Sequence, residues 1–307
     1  MNSQWEPGAA SGSTDRVSQA SAPRHAGDVT VRLSGLWMWL SLAAALLAAA
    51  GSVVGLMAAD RIYGQETAVL ADAAAAQDVV NLVLVAPLLV VLGIWASRGS
   101  LCAYVSWLGC LAFTAYNYAI YAFSVHFGPL FLPWVAVLGL SIFTLVGGLA
   151  TLDASNVKNR FGNRSLPLTA WFLIVMAVLF ALLWLSEIVP DLLAGDPSRS
   201  ASDWKVPTNP VHVLDLAFFL PAVFASGVLL LRRNPAGYAT GPGQLVFLAL
   251  TCLPILVTPL VAIARGHDAG WAVMLPVGLL FSATLAVLWP MLRRASATAT
   301  SHPGDVR

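Results

Sequence analysis

Long apolar stretches separated by short polar loops dominate the chain from residue 34 onward. A helix that crosses ~30 Å of hydrocarbon at 1.5 Å per residue needs about 20 mostly apolar residues. Eight stretches meet this requirement, at residues 34–58, 79–97, 101–124, 130–152, 167–189, 210–231, 244–265 and 271–292. The pattern predicts an all-α fold, a polytopic bundle of eight transmembrane helices.

The two ends of the chain are polar. Residues 1–33 are rich in Ser, Ala, Gly and charge, and residues 293–307 have a similar composition. Such segments bury too little apolar surface to offset the entropy lost on ordering. We therefore expect disordered tails at 1–33 and 293–307 around a membrane domain at 34–292. The first apolar stretch is too long, and too far from residue 1, for a cleaved signal peptide, so we expect it to be retained.

The distribution of basic residues predicts the orientation. With both termini in the cytoplasm, the cytoplasmic side holds 12 of the 16 Lys and Arg residues. Cytoplasmic loops of membrane proteins carry this excess of positive charge. The sequence thus predicts a multi-pass protein of the cell membrane, that is, the inner or plasma membrane, with both tails cytoplasmic.

Composition narrows the class of protein. Hydrophobic residues make up 58% of the chain and charged residues only 10%, whereas a soluble domain carries about 25% charged residues. This excludes a disordered chain, a nucleic-acid binder and an ordinary soluble enzyme. Membrane lipid is the partner that the composition predicts, and nothing in the sequence indicates a protein partner.

Spans two and six resemble each other at a constant offset of 134 residues. At this offset Pro87 is aligned with Pro221, Gly93 with Gly227, and Arg98 with Arg232. The alternative is chance matching between two helices rich in Leu and Val. A true repeat predicts two halves of four spans each, with the same topology, and binding sites often form where such halves meet.

Polar residues inside the spans gather near the predicted outer ends of four helices. Charges in a membrane are costly and therefore informative. The candidate ligand-binding residues are Asp78, Asn81, Asn117, Tyr121, Glu187, His212 and Asp215. If they converge, they form a shallow cup that opens outward, with Arg265 as a countercharge.

Each of these residues also has a simpler interpretation. Asp78 can cap the start of its helix, where a carboxylate is favoured, and Glu187 can lie among lipid headgroups. His212, Asp215 and Asp78 are the candidate metal ligands, although an oxygen-rich set suits hard cations better than zinc. The sequence predicts no cofactor and leaves room for a bound cation.

The segments QDVVNL, AYNYAIY and VHVLDLAFFLP resemble a group of uncharacterised bacterial multi-pass membrane proteins. The resemblance covers spans two to seven and implies topology but no reaction. The chain is also similar in form to intramembrane zinc hydrolases of the ceramidase and progestin-receptor-like type. It departs from them because those proteins use three histidines, and here only His212 lies within a span.

Three functions fit these observations. The first is binding or sensing of a small ligand, a cation or a lipid headgroup in the cup. The second is secondary transport of a small solute, which the repeat favours and the shallow depth of the polar residues opposes. The third is an intramembrane lipid hydrolase or transferase, with a carboxylate as acid or base. We place binding first and expect a non-enzymatic protein.

Overall fold

The computed structural model describes residues 33–161 and 165–297. In this part of the chain the secondary structure is helical throughout, without a strand. Among these described residues, seven helices are long and apolar enough to cross a membrane, so the chain has the architecture of a multi-pass membrane protein. Apart from Leu33 and the last turns of the final helix, the predicted tails lie outside the described residues.

The described residues form eight long α-helices and three short ones, with a 3-10 turn at Trp271–Val273 before the last long helix. They are α1 Gly35–Met57, α2 Ala59–Tyr63, α3 Ala68–Ser97, α4 Leu101–Ser124, α5 Phe131–Thr151, α6 Ala154–Arg160, α7 Pro167–Ala194, α8 Arg199–Trp204, α9 Pro210–Leu231, α10 Pro235–Ala264 and α11 Met274–Ala297. Helix α11 therefore continues into the segment that the sequence predicts as a tail.

Helix α4 corresponds to the third predicted span, and it is the long helix that is not among the seven apolar ones. Of its 24 residues, 19 are buried. It packs against α3, α5 and α10, so most of its surface faces protein rather than lipid. Polar side chains are tolerated in such a helix because neighbouring helices supply their hydrogen-bond partners. Its position at the centre of the bundle explains why it is the least apolar of the long helices.

Two helices begin earlier than the hydropathy pattern predicts. Helix α3 starts at Ala68, after Thr67, whose hydroxyl accepts a hydrogen bond from the backbone N–H of Leu70. Helix α10 starts at Pro235, after Asn234, which caps it in the same way. Such capping satisfies donors that the first turn leaves unpaired. Consequently Asp78 lies about three turns inside α3 and does not cap its start.

Helices α3 and α9 each contain one π-helical segment, at Asn81–Val85 and Asp215–Phe219. Each segment is followed by a proline, Pro87 or Pro221. Proline offers no N–H to the carbonyl four residues earlier, and its ring crowds that carbonyl. Widening the helix to i→i+5 bonds accommodates the gap, and such π-turns are frequent at functional sites.

Other features recur at the same offset of 134 residues. The turn after α3 has Gly99 with φ +91°, and the turn after α9 has Arg233 with φ +53°. Gly109 of α4 and Gly243 of α10 lie against each other where these helices cross. The turn between α9 and α10 is as short as the turn between α3 and α4, since each spans three residues.

Buried polar side chains in the bundle form hydrogen bonds between helices. Trp107 of α4 is fully buried and donates from Nε1 to the hydroxyl of Ser41 on α1, at 2.9 Å. The hydroxyl of Tyr104 donates to the carbonyl oxygen of Gly148 on α5, at 2.8 Å. Unpaired polar groups are expensive in a low-dielectric interior, so these bonds stabilise one packing arrangement.

Candidate functional site

Asp78 of α3 is buried inside the bundle and is surrounded by tyrosines. Its side chain accepts hydrogen bonds from the hydroxyl of Tyr63 at 2.6 Å and from that of Tyr121 at 3.0 Å. Tyr63 comes from the short helix α2, whereas Tyr121 comes from α4. Burial, together with the nearby Asp78 carboxylate, raises the pKa of the Tyr63 phenol, so this hydroxyl keeps its proton and remains a donor.

The backbone of α1 closes over this carboxyl group at Gly55. A Cβ on Gly55 would overlap Asp78 Oδ2 and would come within 2.8 Å of the Tyr63 hydroxyl. Small residues let membrane helices approach in this way. Gly55 therefore serves packing within the chain, beside a buried polar group, whereas a Cβ on Gly51, one turn earlier, would meet nothing within 4 Å.

An amide cluster lies one turn further along α3. Asn81 is 1% exposed, and its Oδ1 accepts a hydrogen bond from Gln77 Nε2 at 3.0 Å. Asn117 Nδ2 approaches the same oxygen at 3.4 Å. The amide set of Gln77, Asn81 and Asn117 thus neighbours the set of Asp78, Tyr63 and Tyr121 along α3 and α4, and we call the two sets together the tyrosine–amide cluster.

Glu187, His212 and Asp215 form a second group, between α7 and α9. His212 Nε2 lies 3.8 Å from Glu187 Oε2. Asp215 Oδ2 accepts a hydrogen bond of 2.8 Å from Trp184 Nε1, and the rings of Trp184 and His212 lie 4.6 Å apart. We call this group the tryptophan–carboxylate cluster.

The seven candidate residues therefore divide between two clusters instead of forming one cup. The carboxyl group of Asp78 is held by tyrosines, whereas His212 and Asp215 interact with α7. Among residues 33–161 and 165–297, no three His, Cys, Asp or Glu side chains are grouped to hold a metal ion. The structure therefore does not bring the candidate metal ligands His212, Asp215 and Asp78 together.

Arg265 pairs with an acid that the sequence analysis did not single out. Arg265 Nε lies 3.0 Å from Asp72 Oδ1, and His267 Nδ1 lies 2.7 Å from Asp72 Oδ2. Asp72 is 4% exposed and lies in the first turns of α3. This ion-pair group ties α3 to the loop after α10, and Arg265 is therefore not a countercharge for either polar cluster.

A cavity of about 330 Å³ lies between the two clusters. Helices α3 and α4 line it on one side, and α7, α9, α10 and α11 line it on the other. Gln77, Asn117 and Tyr121 reach it from the tyrosine–amide cluster, and Trp184 and Asp215 reach it from the tryptophan–carboxylate cluster. Most of the other lining side chains are aliphatic or aromatic. A mostly apolar cavity with a few convergent polar groups is the usual form of a small-molecule site.

The segment between α7 and α9 lies at one end of this cavity. Its short helix α8 packs against α3 and contributes Trp204 to the cavity wall. The base of the segment is held by Asp191, whose carboxylate accepts hydrogen bonds from the backbone N–H and from Nε of Arg199. The indole of Trp204 therefore covers part of the cavity from outside the long helices.

Several residues of the site were missed by the sequence analysis. Trp184 precedes Glu187 by three residues on α7, so helical spacing alone places it on the same face. Gln77 precedes Asn81 by one helical turn, so the spacing likewise places these two residues on the same face. For Tyr63 and Trp204 no such signal exists, because both come from short helices in loops.

Comparisons of the chain with protein-family models, with curated protein sequences and with solved structures gave no match.

Proposed function

We propose that this protein is an eight-span membrane protein that binds a mostly apolar small molecule in the cavity between its two halves. The observation that carries the proposal is the cavity itself, about 330 Å³ in volume, with a few polar groups that face it from both clusters. Pockets between helices are a common place for ligands in bundles.

The proposed architecture is a pair of related halves, α1–α5 and α7–α11. It is supported by the two π-turns, the two positive-φ turns and the glycine contact, all at an offset of 134 residues. Sites at the junction of such halves are a recurring arrangement in membrane proteins. In this proposal both tails are cytoplasmic, and the cavity mouth beside Trp204 faces the opposite side of the cell membrane.

The direct test is to extract the protein from its membrane in polymer-bounded lipid discs and to analyse its small-molecule content by mass spectrometry. Thr251→Trp places a large side chain in the cavity wall. Leu279→Trp adds the same bulk on α11 at a position that is 63% exposed, and it serves as the control. We expect a molecule that the wild type and Leu279→Trp retain in stoichiometric amount and that Thr251→Trp loses. Equal content in all three proteins would overturn the proposal.

Transport of the bound molecule is the second candidate function. It is favoured by the π-turns of α3 and α9, since each lies next to a proline and can act as a hinge beside the cavity. Flux into proteoliposomes that is lost in Thr251→Trp would support transport. Binding without flux would exclude transport and leave the binding function in place.

A further inference from the structure

We propose that the cavity selects hydrophobic organic cations, such as a quaternary ammonium or a protonated amine with an apolar body. The inference rests on the proposed function and adds a ligand class to it. Among the cavity-lining residues in the described part of the chain, Asp215 is the one that is an Asp, Glu, Lys, Arg or His.

The Asp215 carboxylate has no basic partner within the described residues. Ion pairs there involve other acids, among them Glu66, Asp72, Glu187 and Asp191. His212, one turn earlier on α9, pairs with Glu187, while Asp215 interacts with uncharged donors, the indole of Trp184 and the hydroxyl of Tyr116. A carboxyl group beside an apolar cavity therefore has no cation of the described residues to pair with, and a cationic ligand can fill that place.

The aromatic rings beside Asp215 suit the same ligand. Phe219 lies four residues after Asp215 in the π-turn of α9 and stacks on Phe247, with ring centroids 4.5 Å apart. Tyr116 meets both rings edge to face, at 4.8 and 5.5 Å. Aromatic faces attract organic cations, and aromatic side chains are the usual means of recognising quaternary ammonium groups.

The rest of the cavity favours an apolar body on the cation. Eight of its lining side chains are aromatic, and most of the remainder are aliphatic. A small inorganic cation would have to give up its water without enough oxygen ligands to replace it. An organic cation is weakly hydrated and places its apolar part against the aliphatic wall. The structure therefore favours an amphiphilic cation over a metal ion at this carboxylate.

The test compares benzyltrimethylammonium with neopentylbenzene, a neutral compound of the same shape in which carbon replaces the charged nitrogen. Binding to protein in lipid discs is measured by titration calorimetry, with empty discs subtracted. We expect the wild type to bind the ammonium compound more tightly. Asp215→Asn should weaken ammonium binding by at least about tenfold, because a charge pair removed from water is much stronger than one in bulk water. Its affinity for neopentylbenzene should stay the same.

Two further variants complete the design. Asp60→Asn removes an exposed carboxylate that does not line the cavity, and it should bind both compounds as the wild type does. Phe219→Leu keeps an apolar side chain but removes one ring, and it should weaken binding of the ammonium compound alone. If Asp215→Asn binds neither compound because it misfolds, the Phe219→Leu variant provides the test. Weaker binding of the ammonium compound alone supports the inference, and unchanged binding overturns it.

The outcomes separate this inference from the proposed function. Equal binding of both compounds by the wild type and by Asp215→Asn would overturn cation selectivity and leave cavity binding intact. Failure of the wild type to bind either compound would also overturn the inference, whereas the proposed function would still be decided by the molecule retained on extraction.

Discussion

Gly109 and Gly243 lie against each other at the crossing of α4 and α10, and the two residues are 134 positions apart in the chain. A Cβ on Gly109 would overlap the carbonyl oxygen of Gly243, and one on Gly243 would come within 3.2 Å of the Val105 carbonyl oxygen. Helices α4 and α10, one from each proposed half, therefore approach backbone to backbone.

Gly109→Ala should destabilise the protein, because the atom that obstructs the new methyl group belongs to the backbone and cannot swing away. Overpacking of this kind costs about 1–3 kcal/mol. The free energy of unfolding in mixed detergent micelles measures the effect. Gly139→Ala is the matched control, since a Cβ there meets nothing within 4 Å. Equal stability of the two variants would show that α4 and α10 do not cross at these glycines.

Tyr63→Phe should destabilise the fold by removing a donor from the buried carboxyl group of Asp78. The net contribution of a buried hydrogen bond is about 0.5–3 kcal/mol, with the upper part of this range for a charged acceptor. The effect should be smaller in an Asp78→Asn background, because the two substitutions remove the same contact. A double-mutant cycle of unfolding free energies measures this coupling.

The control for that cycle is Tyr63→Phe combined with Asp60→Asn, a carboxylate that is exposed. This pair should be additive. Additivity of Tyr63→Phe with Asp78→Asn would contradict the hydrogen bond of 2.6 Å on which the tyrosine–amide cluster depends.

Asp72→Asn should loosen the attachment of α3 to the loop after α10, since both Arg265 and His267 bind this carboxylate. We expect a loss of about 1.5–3 kcal/mol in unfolding free energy, the range for hydrogen bonds to a charged group. Arg265→Gln should have less effect in the Asp72→Asn background than in the wild type. An Arg265→Gln effect that is unchanged by Asp72→Asn would show that the pair does not form.

Reporter fusions at the two ends of the chain distinguish eight spans from seven. Eight spans place both termini on the same side of the membrane, and the distribution of Lys and Arg predicts the cytoplasmic side. A cysteine introduced at Ser200, in the segment between α7 and α9, should react with a membrane-impermeant thiol reagent from the opposite side. Termini on opposite sides would mean that α4 does not cross the membrane.

The length and hydropathy of the apolar stretches were enough to predict the membrane class and the approximate position of all the long helices. They misplaced the starts of α3 and α10. The early turns of these helices are rich in Ala, Gly and polar residues, and their helical structure depends on the caps Thr67 and Asn234 and on packing against neighbours. Hydropathy measures the preference of a segment for lipid. It therefore does not detect helical turns that are buried against other parts of the protein.

The sequence predicted the candidate residues of the site but not their arrangement in space. Helical spacing correctly associates Asp78 with Asn81, and His212 with Asp215, since such pairs share a face. It cannot show that Tyr63 meets Asp78 or that Arg265 meets Asp72, because those contacts join segments that are distant in sequence.

The sequence by itself thus determined that the chain forms membrane helices, where those helices lie and which polar groups they carry, because these properties depend on local composition and period. The tertiary structure decided that the polar groups divide into two clusters with an apolar cavity between them. That division depends on which helix faces meet, and small residues such as Gly55 and Gly109 determine this by allowing backbones to approach.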